Sequence, residues 1–127
     1  MENKCFRQGE LIFIPVKISK EIRDTILNDG KNLGLNIREG EVSGHIHAAN
    51  TGRLVEVKSR TIYPTNENGG RDYEKRVELP AGEMFLTADH QIKITHPEHG
   101  TLPLDKGDYI IRIQREYDET ADRLVRD

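Results

Sequence analysis

The sequence predicts a mainly β protein: a small β-barrel or sandwich of about seven or eight strands, with one short helix near residues 20–29. Three observations support this prediction. Short apolar segments recur along the chain, separated by turns rich in Gly, Pro and Asn. Most of these segments alternate apolar and polar residues, which is the period of a strand. The chain has 127 residues, so we expect a single β-rich domain over residues 1–127.

The first two elements have the clearest local signals. Residues 11–16, LIFIPV, are a continuous apolar run that predicts a strand buried on both faces. The next segment has the signals of a helix, because Ser19 can act as the N-cap and Ile22 and Ile26 lie four residues apart on one face. Gly30 marks the expected end of this helix.

After the helix the period changes to two. Leu33, Leu35 and Ile37 share one face of a predicted strand, and further strands are expected within residues 53–64. Residues 64–72, PTNENGGRD, combine turn formers and polar residues, and they predict a flexible loop inside the domain.

The second half of the chain continues the β pattern. Residues 75–88 predict two strands joined by a PAG turn, and residues 90–96 alternate cleanly as a further strand. A loop is expected over residues 96–107, followed by a strong strand in residues 108–117. The tail, residues 118–127, predicts a short helix or a frayed end.

Composition restricts the environment and the partners. The formal net charge of −3 gives no bulk electrostatic case for binding duplex DNA. No apolar stretch approaches the roughly 20 residues that cross a bilayer, so no membrane association is expected. One cysteine, Cys5, allows no internal disulfide, and together with the polar N-terminus it predicts a cytoplasmic protein. Pairing of edge strands makes a homodimer a further expectation.

Two histidines lie close together in GEVSGHIHAAN. His45 and His47 are two residues apart, so on a strand both rings face the same side. Val42, Ile46 and Ala48 take the opposite side and resemble core residues. We therefore expect the two histidines to point away from the main apolar layer, into solvent or a pocket.

A second histidine pair lies in THPEHG. Alternation places His96 on the apolar face of its strand and His99 in the following loop, so the two pairs are expected on opposite sides of their sheets. They can still meet where a strand end and a loop converge, because glycines such as Gly100 allow bends. We predict a shared site of His45, His47, His96 and His99.

The first function that this site predicts is binding of a divalent metal. Imidazole nitrogens are ligands for Zn, Ni, Mn or Fe, and such a site could support hydrolysis. The His-x-His pair resembles the metal pair of the cupins, small β-barrels that place a glutamate shortly after it. Here the first acidic residue after His47 is Glu56, so cupin ligands are not assigned to this chain.

Two alternatives need no metal. In the first, His45, His47 and His99 act as acid and base on a phosphodiester of RNA or a cyclic nucleotide, with Arg115 holding the phosphate and Tyr117 assisting. In the second, the domain is a non-catalytic module that binds a small ligand, such as a nucleotide, or a protein. The 64–72 loop then forms a lid or a contact surface.

Several segments together resemble a known group. RQGE near the start, GEVSGHIH in the centre and QREY near the end are similar to a family of small uncharacterised proteins from bacteria and their phages. These proteins share an R-Q-G-[DE] start, a G-E-V-[ST]-G-H-x-H centre and a Q-R-E-Y end. The resemblance implies that these segments occur together, and it implies no activity.

Overall fold

The computed structural model describes residues 4–38, 46–58, 60–79 and 83–113. Within these ranges the chain forms one helix, α1 (Lys20–Asp29), and twelve strands. The strands are β1 Phe6–Gln8, β2 Leu11–Val16, β3 Lys31–Asn32, β4 Asn36–Arg38, β5 Ile46–Ala49, β6 Arg53–Glu56, β7 Arg60–Ile62, β8 Val77–Leu79, β9 Met84–Ala88, β10 Ile92–His96, β11 Gly100–Leu104 and β12 Gly107–Ile113.

The helix forms where its end signals place it. The Ser19 side chain accepts a hydrogen bond from the Ile22 amide at 3.2 Å, which satisfies one of the free N–H groups of the first turn. At the other end the Gly30 amide donates to the Ile26 carbonyl at 2.9 Å. Ile22 and Ile26 are both buried, which confirms the predicted apolar face.

Two antiparallel sheets make up most of the fold. The larger sheet has the strand order β1-β2-β12-β9-β6-β3, and the smaller has the order β11-β10-β5-β4. A third sheet is the pair β7-β8. Among the described residues neither large sheet closes into a barrel, because each ends in an edge strand.

The two large sheets enclose the main core. Leu11 and Phe13 of β2 and Ile111 of β12 pack in one buried cluster with Ile92 and Ile94 of β10. The inner faces of both sheets therefore contribute to the same apolar layer, as in a β-sandwich. This confirms the predicted fold class.

A second core lies on the outer face of the larger sheet. Ile22 and Ile26 of α1 pack there against Val55 and Phe85, together with the β7-β8 pair. The central strands β6 and β9 are consequently buried on both faces: Val55 belongs to the outer core, and its neighbour Leu54 belongs to the core between the sheets.

The strand count exceeds the predicted seven or eight, and the difference has a local cause. Five of the twelve strands have only two or three residues, too few to show a period. Strand β11 was missed because Gly100 and Pro103 indicate a loop. Pro103 is tolerated because β11 is an edge strand, where a missing N–H need not interrupt the sheet. Among the described residues, no helix is long and apolar enough to span a membrane.

Candidate functional site: a histidine row

The structure describes only part of the predicted site. His45, Arg115 and Tyr117 lie outside the described residues, as does the 118–127 tail. His47, His96 and His99 are described, and they lie next to one another.

His47 and His96 face each other across two neighbouring strands. The β5–β10 register pairs Ile94 with Ala49 and Thr95 with Ala48, and one more step of the same register sets His96 opposite His47. The ring centroids are 4.3 Å apart with planes inclined by 40°. Both rings are buried, with 0% and 5% of their residue surface exposed.

The predicted orientation of His47 is wrong. The sequence placed His47 on a polar face opposite Ile46 and Ala48, but the structure buries His47 and Ala49 and leaves Ile46 and Ala48 partly exposed. The alternation was correct and the choice of inner face was inverted. His47 and His96 therefore lie on the same, core-facing side of one sheet, and the expectation of opposite sides is also wrong.

Burial of His47 depends on Gln8 from the other sheet. The Nδ1 atom of His47 lies 2.8 Å from Gln8 Oε1, and Gln8 Nε2 donates to the carbonyls of Ile94 at 2.8 Å and Gly100 at 2.9 Å. Because both partners of Nε2 are carbonyl oxygens, the orientation of the amide is fixed and Oε1 must accept. His47 therefore carries a proton on Nδ1.

His96 is held in the opposite tautomer. Its Nδ1 atom accepts hydrogen bonds from the backbone amides of Glu98 at 3.0 Å and His99 at 3.2 Å. An atom that accepts from two N–H groups carries no proton, so the neutral ring has its proton on Nε2. Directly after these amides Gly100, with a φ of 74°, turns the chain back into β11, where it pairs with His96.

His99 extends the arrangement to the surface. Its ring centroid is 4.5 Å from that of His96, the two planes are inclined by 37°, and the residue is exposed. We call His47, His96 and His99 the histidine row. It runs from the interior of the sandwich to the solvent, with the rings side by side.

This arrangement limits the chemistry of the row. In the neutral form, His96 has no free lone pair, because one nitrogen accepts two N–H groups and the other carries the proton. No cluster of three or more His, Cys, Asp or Glu side chains in the described part of the chain is arranged to hold a metal ion. Two of the three rings are also too buried to contact a substrate without opening the sandwich.

Gln8 is a site residue that was not predicted from the sequence. Its position in the RQGE segment, which the resemblance groups with GHIH and QREY, was the available signal. The 39 residues that separate Gln8 from His47 explain the omission, because no local period links them.

Two clefts lie away from the histidine row, and the residues that line them include no histidine. The helix cleft, of about 690 Å³, lies between the start of α1 and residues 64–72. The strand cleft, of about 560 Å³, lies at the end of β2 and the start of β12. Lys17 and Ile18 line both clefts, so the two are neighbours.

The segment 64–72 forms one wall of the helix cleft. The Asn66 side chain organises its turn, because Oδ1 accepts from the amides of Asn68 and Gly70 at 2.9 Å each. The Glu21 carboxylate of α1 accepts from the Thr65 amide at 2.9 Å and from its hydroxyl at 2.7 Å. These two bonds lower the pKa of Glu21. The predicted flexibility of this segment stays a prediction.

Comparison with known proteins adds a family. A family model described as a domain of unknown function (DUF8820) matches residues 7–114. No curated protein and no solved structure matches the chain significantly.

Proposed function

The chain belongs to this domain family of unknown function, which assigns no activity, and from the geometry we propose that the domain is a non-catalytic ligand-binding module. In this proposal the two clefts recognise the ligand, and the histidine row braces the sandwich. The observation that carries the proposal is the lining of these two clefts by residues that the structure describes. The two clefts have the size of small-molecule sites, and no histidine lines either of them.

The helix cleft has features of a preorganised site. One wall is the first turn of α1, and the other is the segment that Asn66 organises and Glu21 anchors. A ligand that binds between two walls already held in place loses little free energy to ordering them. Side chains of several kinds line the cleft, including the apolar Ile22 and Val77 and the polar Asn68.

The histidine row has a structural task in this proposal. Gln8 joins β1 of the larger sheet to β10 and to Gly100 of the smaller sheet, and His47 completes the set of hydrogen bonds. A buried polar group is tolerated when its hydrogen bonds are made, and it then favours one arrangement of its neighbours.

Amide chemical shifts during a fragment screen on the full chain test the proposal. We expect fragments to perturb the amides of residues 17–19 and 65–68, which line the helix cleft, or those of residues 105–109, which line the strand cleft. His99→Ala should leave this binding unchanged. Perturbations centred on the His96–Gly100 turn, or cleavage of RNA or a cyclic nucleotide that His99→Ala abolishes, would overturn it. The second result would establish the phosphodiesterase alternative.

A divalent metal site remains the second candidate, and one observation favours it. Metal-bound histidines commonly donate their other ring N–H to a neighbouring acceptor, as His47 donates to Gln8. In this alternative His45, His47 and His99 are the ligands, because His96 has its Nδ1 atom occupied. Elemental analysis of protein purified without an affinity tag, with thermal shifts in Zn, Ni, Mn and Fe, tests it. Absence of bound metal and of any shift would exclude this site.

A further inference from the structure

We propose that the strand cleft binds a phosphate monoester that carries an apolar ring. In this proposal Lys4, Lys17 and Lys106 bind the phosphate, and Phe6 contacts the ring. The inference rests on the proposed ligand-binding function, and it adds the site and the chemical class of the ligand.

The floor of the strand cleft is regular backbone. Its lining includes Pro15 and Val16 at the end of β2 and Asp108 and Tyr109 at the start of β12. These residues are cross-strand partners, Val16 with Asp108 and Pro15 with Tyr109. The hydroxyl of Tyr109 also donates to the Asp105 carbonyl at 2.7 Å, which ties the turn before β12 to the strand. Paired strands therefore hold this part of the cleft in place. Lys4, Lys17 and Lys106 lie just outside the ends of the strands, at its rim.

The charge of the cleft is unbalanced. Lys4, Lys17 and Lys106 line it, and within the described ranges the structure gives none of their ammonium groups an ion pair or a hydrogen bond. Two acidic residues share the lining, but one of them, Asp108, is already bound by Arg23 through two hydrogen bonds of 2.9 Å.

Three cations thus face a single uncommitted carboxylate, that of Asp105. Lysines that line one concavity attract a multivalent anion, because walls of low dielectric concentrate their field. A phosphate monoester carries close to two negative charges at neutral pH and offers three acceptor oxygens, so it suits several lysines at once.

The remaining lining is apolar and selects the other part of the ligand. Phe6 is half-buried, so part of its ring stays available for contact, and Pro15, Val16 and Ile18 extend the apolar surface. The cleft volume of about 560 Å³ exceeds what a phosphate ion fills and suits a phosphate joined to a ring. A bare phosphate would leave this surface in water.

Titration of the full chain with three probes tests the inference: phenyl phosphate, inorganic phosphate and phenol. We expect phenyl phosphate to shift the amide signals of residues 105–109 and 16–18, and we expect these shifts to reach saturation. Inorganic phosphate should bind more weakly at the same residues, and the shifts caused by phenol should not reach saturation. Raising the salt concentration should weaken the binding of phenyl phosphate, since its contact with the lysines is ionic.

Two charge-reversal variants give the matched comparison. Lys106→Glu places a negative charge in the cleft, and Lys93→Glu makes the same change at an exposed position of β10, which does not line it. We expect Lys106→Glu to weaken the affinity for phenyl phosphate about tenfold or more, which is the scale of one lost charge-assisted hydrogen bond. Lys93→Glu should change this affinity less than about twofold. The melting temperatures of both variants should stay close to that of the parent, since each lysine side chain makes no described bond.

The outcomes separate this inference from the function on which it rests. The phosphate assignment is overturned if Lys106→Glu and Lys93→Glu weaken the affinity for phenyl phosphate equally. It is also overturned if phenol saturates the amide shifts as readily as phenyl phosphate does. If uncharged or cationic fragments bind either cleft and phenyl phosphate does not, the inference fails and the binding function stands. If no fragment binds either cleft, both fail.

Discussion

Gln8 and His47 join the two sheets of the sandwich through a hydrogen bond of 2.8 Å. Gln8 lies on β1, an edge strand of the larger sheet, and His47 lies on β5, inside the smaller sheet. Because Gln8 also donates to the carbonyls of Ile94 and Gly100, a single buried side chain makes three bonds between the sheets. Gln8 thereby holds His47, the buried end of the histidine row, in place.

Gln8→Glu tests this anchor with a change of almost no volume. The substitution puts a carboxylate oxygen in the place of the NH₂ group, opposite two carbonyl oxygens, in a residue that is 4% exposed. We expect a loss of about 2–4 kcal/mol in the free energy of unfolding, because two bonds become repulsive contacts and their carbonyls lose a donor. Urea unfolding measures it. Gln91→Glu, the same change at an exposed position, is the control, and equal effects would contradict the role of Gln8.

The opposite tautomers of His47 and His96 are a second expected result. Under conditions where the rings are neutral, long-range ¹H–¹⁵N spectra should show the proton on Nδ1 of His47 and on Nε2 of His96. His90, an exposed histidine outside the row, should show the mixture of tautomers typical of a ring in water. The same tautomer at His47 and His96 would refute the hydrogen-bond assignment. Gln8→Leu should abolish the preference at His47 and leave that at His96.

Gln8 and the buried histidines also show where prediction from the sequence ends. The caps at Ser19 and Gly30 are local, and they placed the helix correctly. The convergence of the two histidine pairs was expected, and for His47, His96 and His99 the structure brings the rings together. The buried face of β5 could not be predicted, because Ile46 is a better core residue than histidine by every local measure.

What decides that face is non-local. His47 is tolerated inside because Gln8 supplies an acceptor from another sheet, and the resulting set of hydrogen bonds exists only after both sheets have packed. The strand cleft is non-local in the same way, since Lys4, Lys17 and Lys106 are scattered along the chain and line one cleft only after β2 has paired with both β1 and β12.

Asp108 and Arg23 provide a third prediction, on the attachment of the helix. Both Asp108 oxygens accept from the Arg23 guanidinium at 2.9 Å, and the Thr87 hydroxyl donates to one of them at 2.6 Å. The Asp108 side chain is 6% exposed and that of Arg23 is 33% exposed. We expect Asp108→Asn to lower the free energy of unfolding by about 2–3 kcal/mol. This is somewhat less than the loss from breaking a fully buried ion pair, because solvent screens Arg23.

The surface pair on the same helix supplies the comparison. Lys20 and Asp24 are 2.7 Å apart and largely exposed, so Asp24→Asn should cost about 0.5 kcal/mol or less. Both free energies come from urea unfolding at neutral pH. Similar losses for the two substitutions would show that the Arg23 bond does not hold α1 to the sheet.

The Glu21–Thr65 contact gives a pH dependence whose sign follows from its hydrogen bonds. The Thr65 amide and then its hydroxyl lower the pKa of Glu21 below its ordinary value of 4.5, because both bonds favour the charged carboxylate. A group whose pKa is lower in the folded state stabilises the fold above its unfolded pKa. That contribution disappears as the pH falls from about 4.5 through the folded value.

Glu21→Gln should therefore be less stable than the parent at neutral pH, and the difference should shrink below pH 4.5. Urea midpoints measured between pH 3 and pH 7, a range chosen to bracket that window, provide the measurement. Thr65→Val removes only the hydroxyl, so in that background the effect of Glu21→Gln should become smaller without vanishing, because the amide still donates. A difference that stays constant over the whole range would mean that the carboxylate charge does not hold residues 64–72 to the helix.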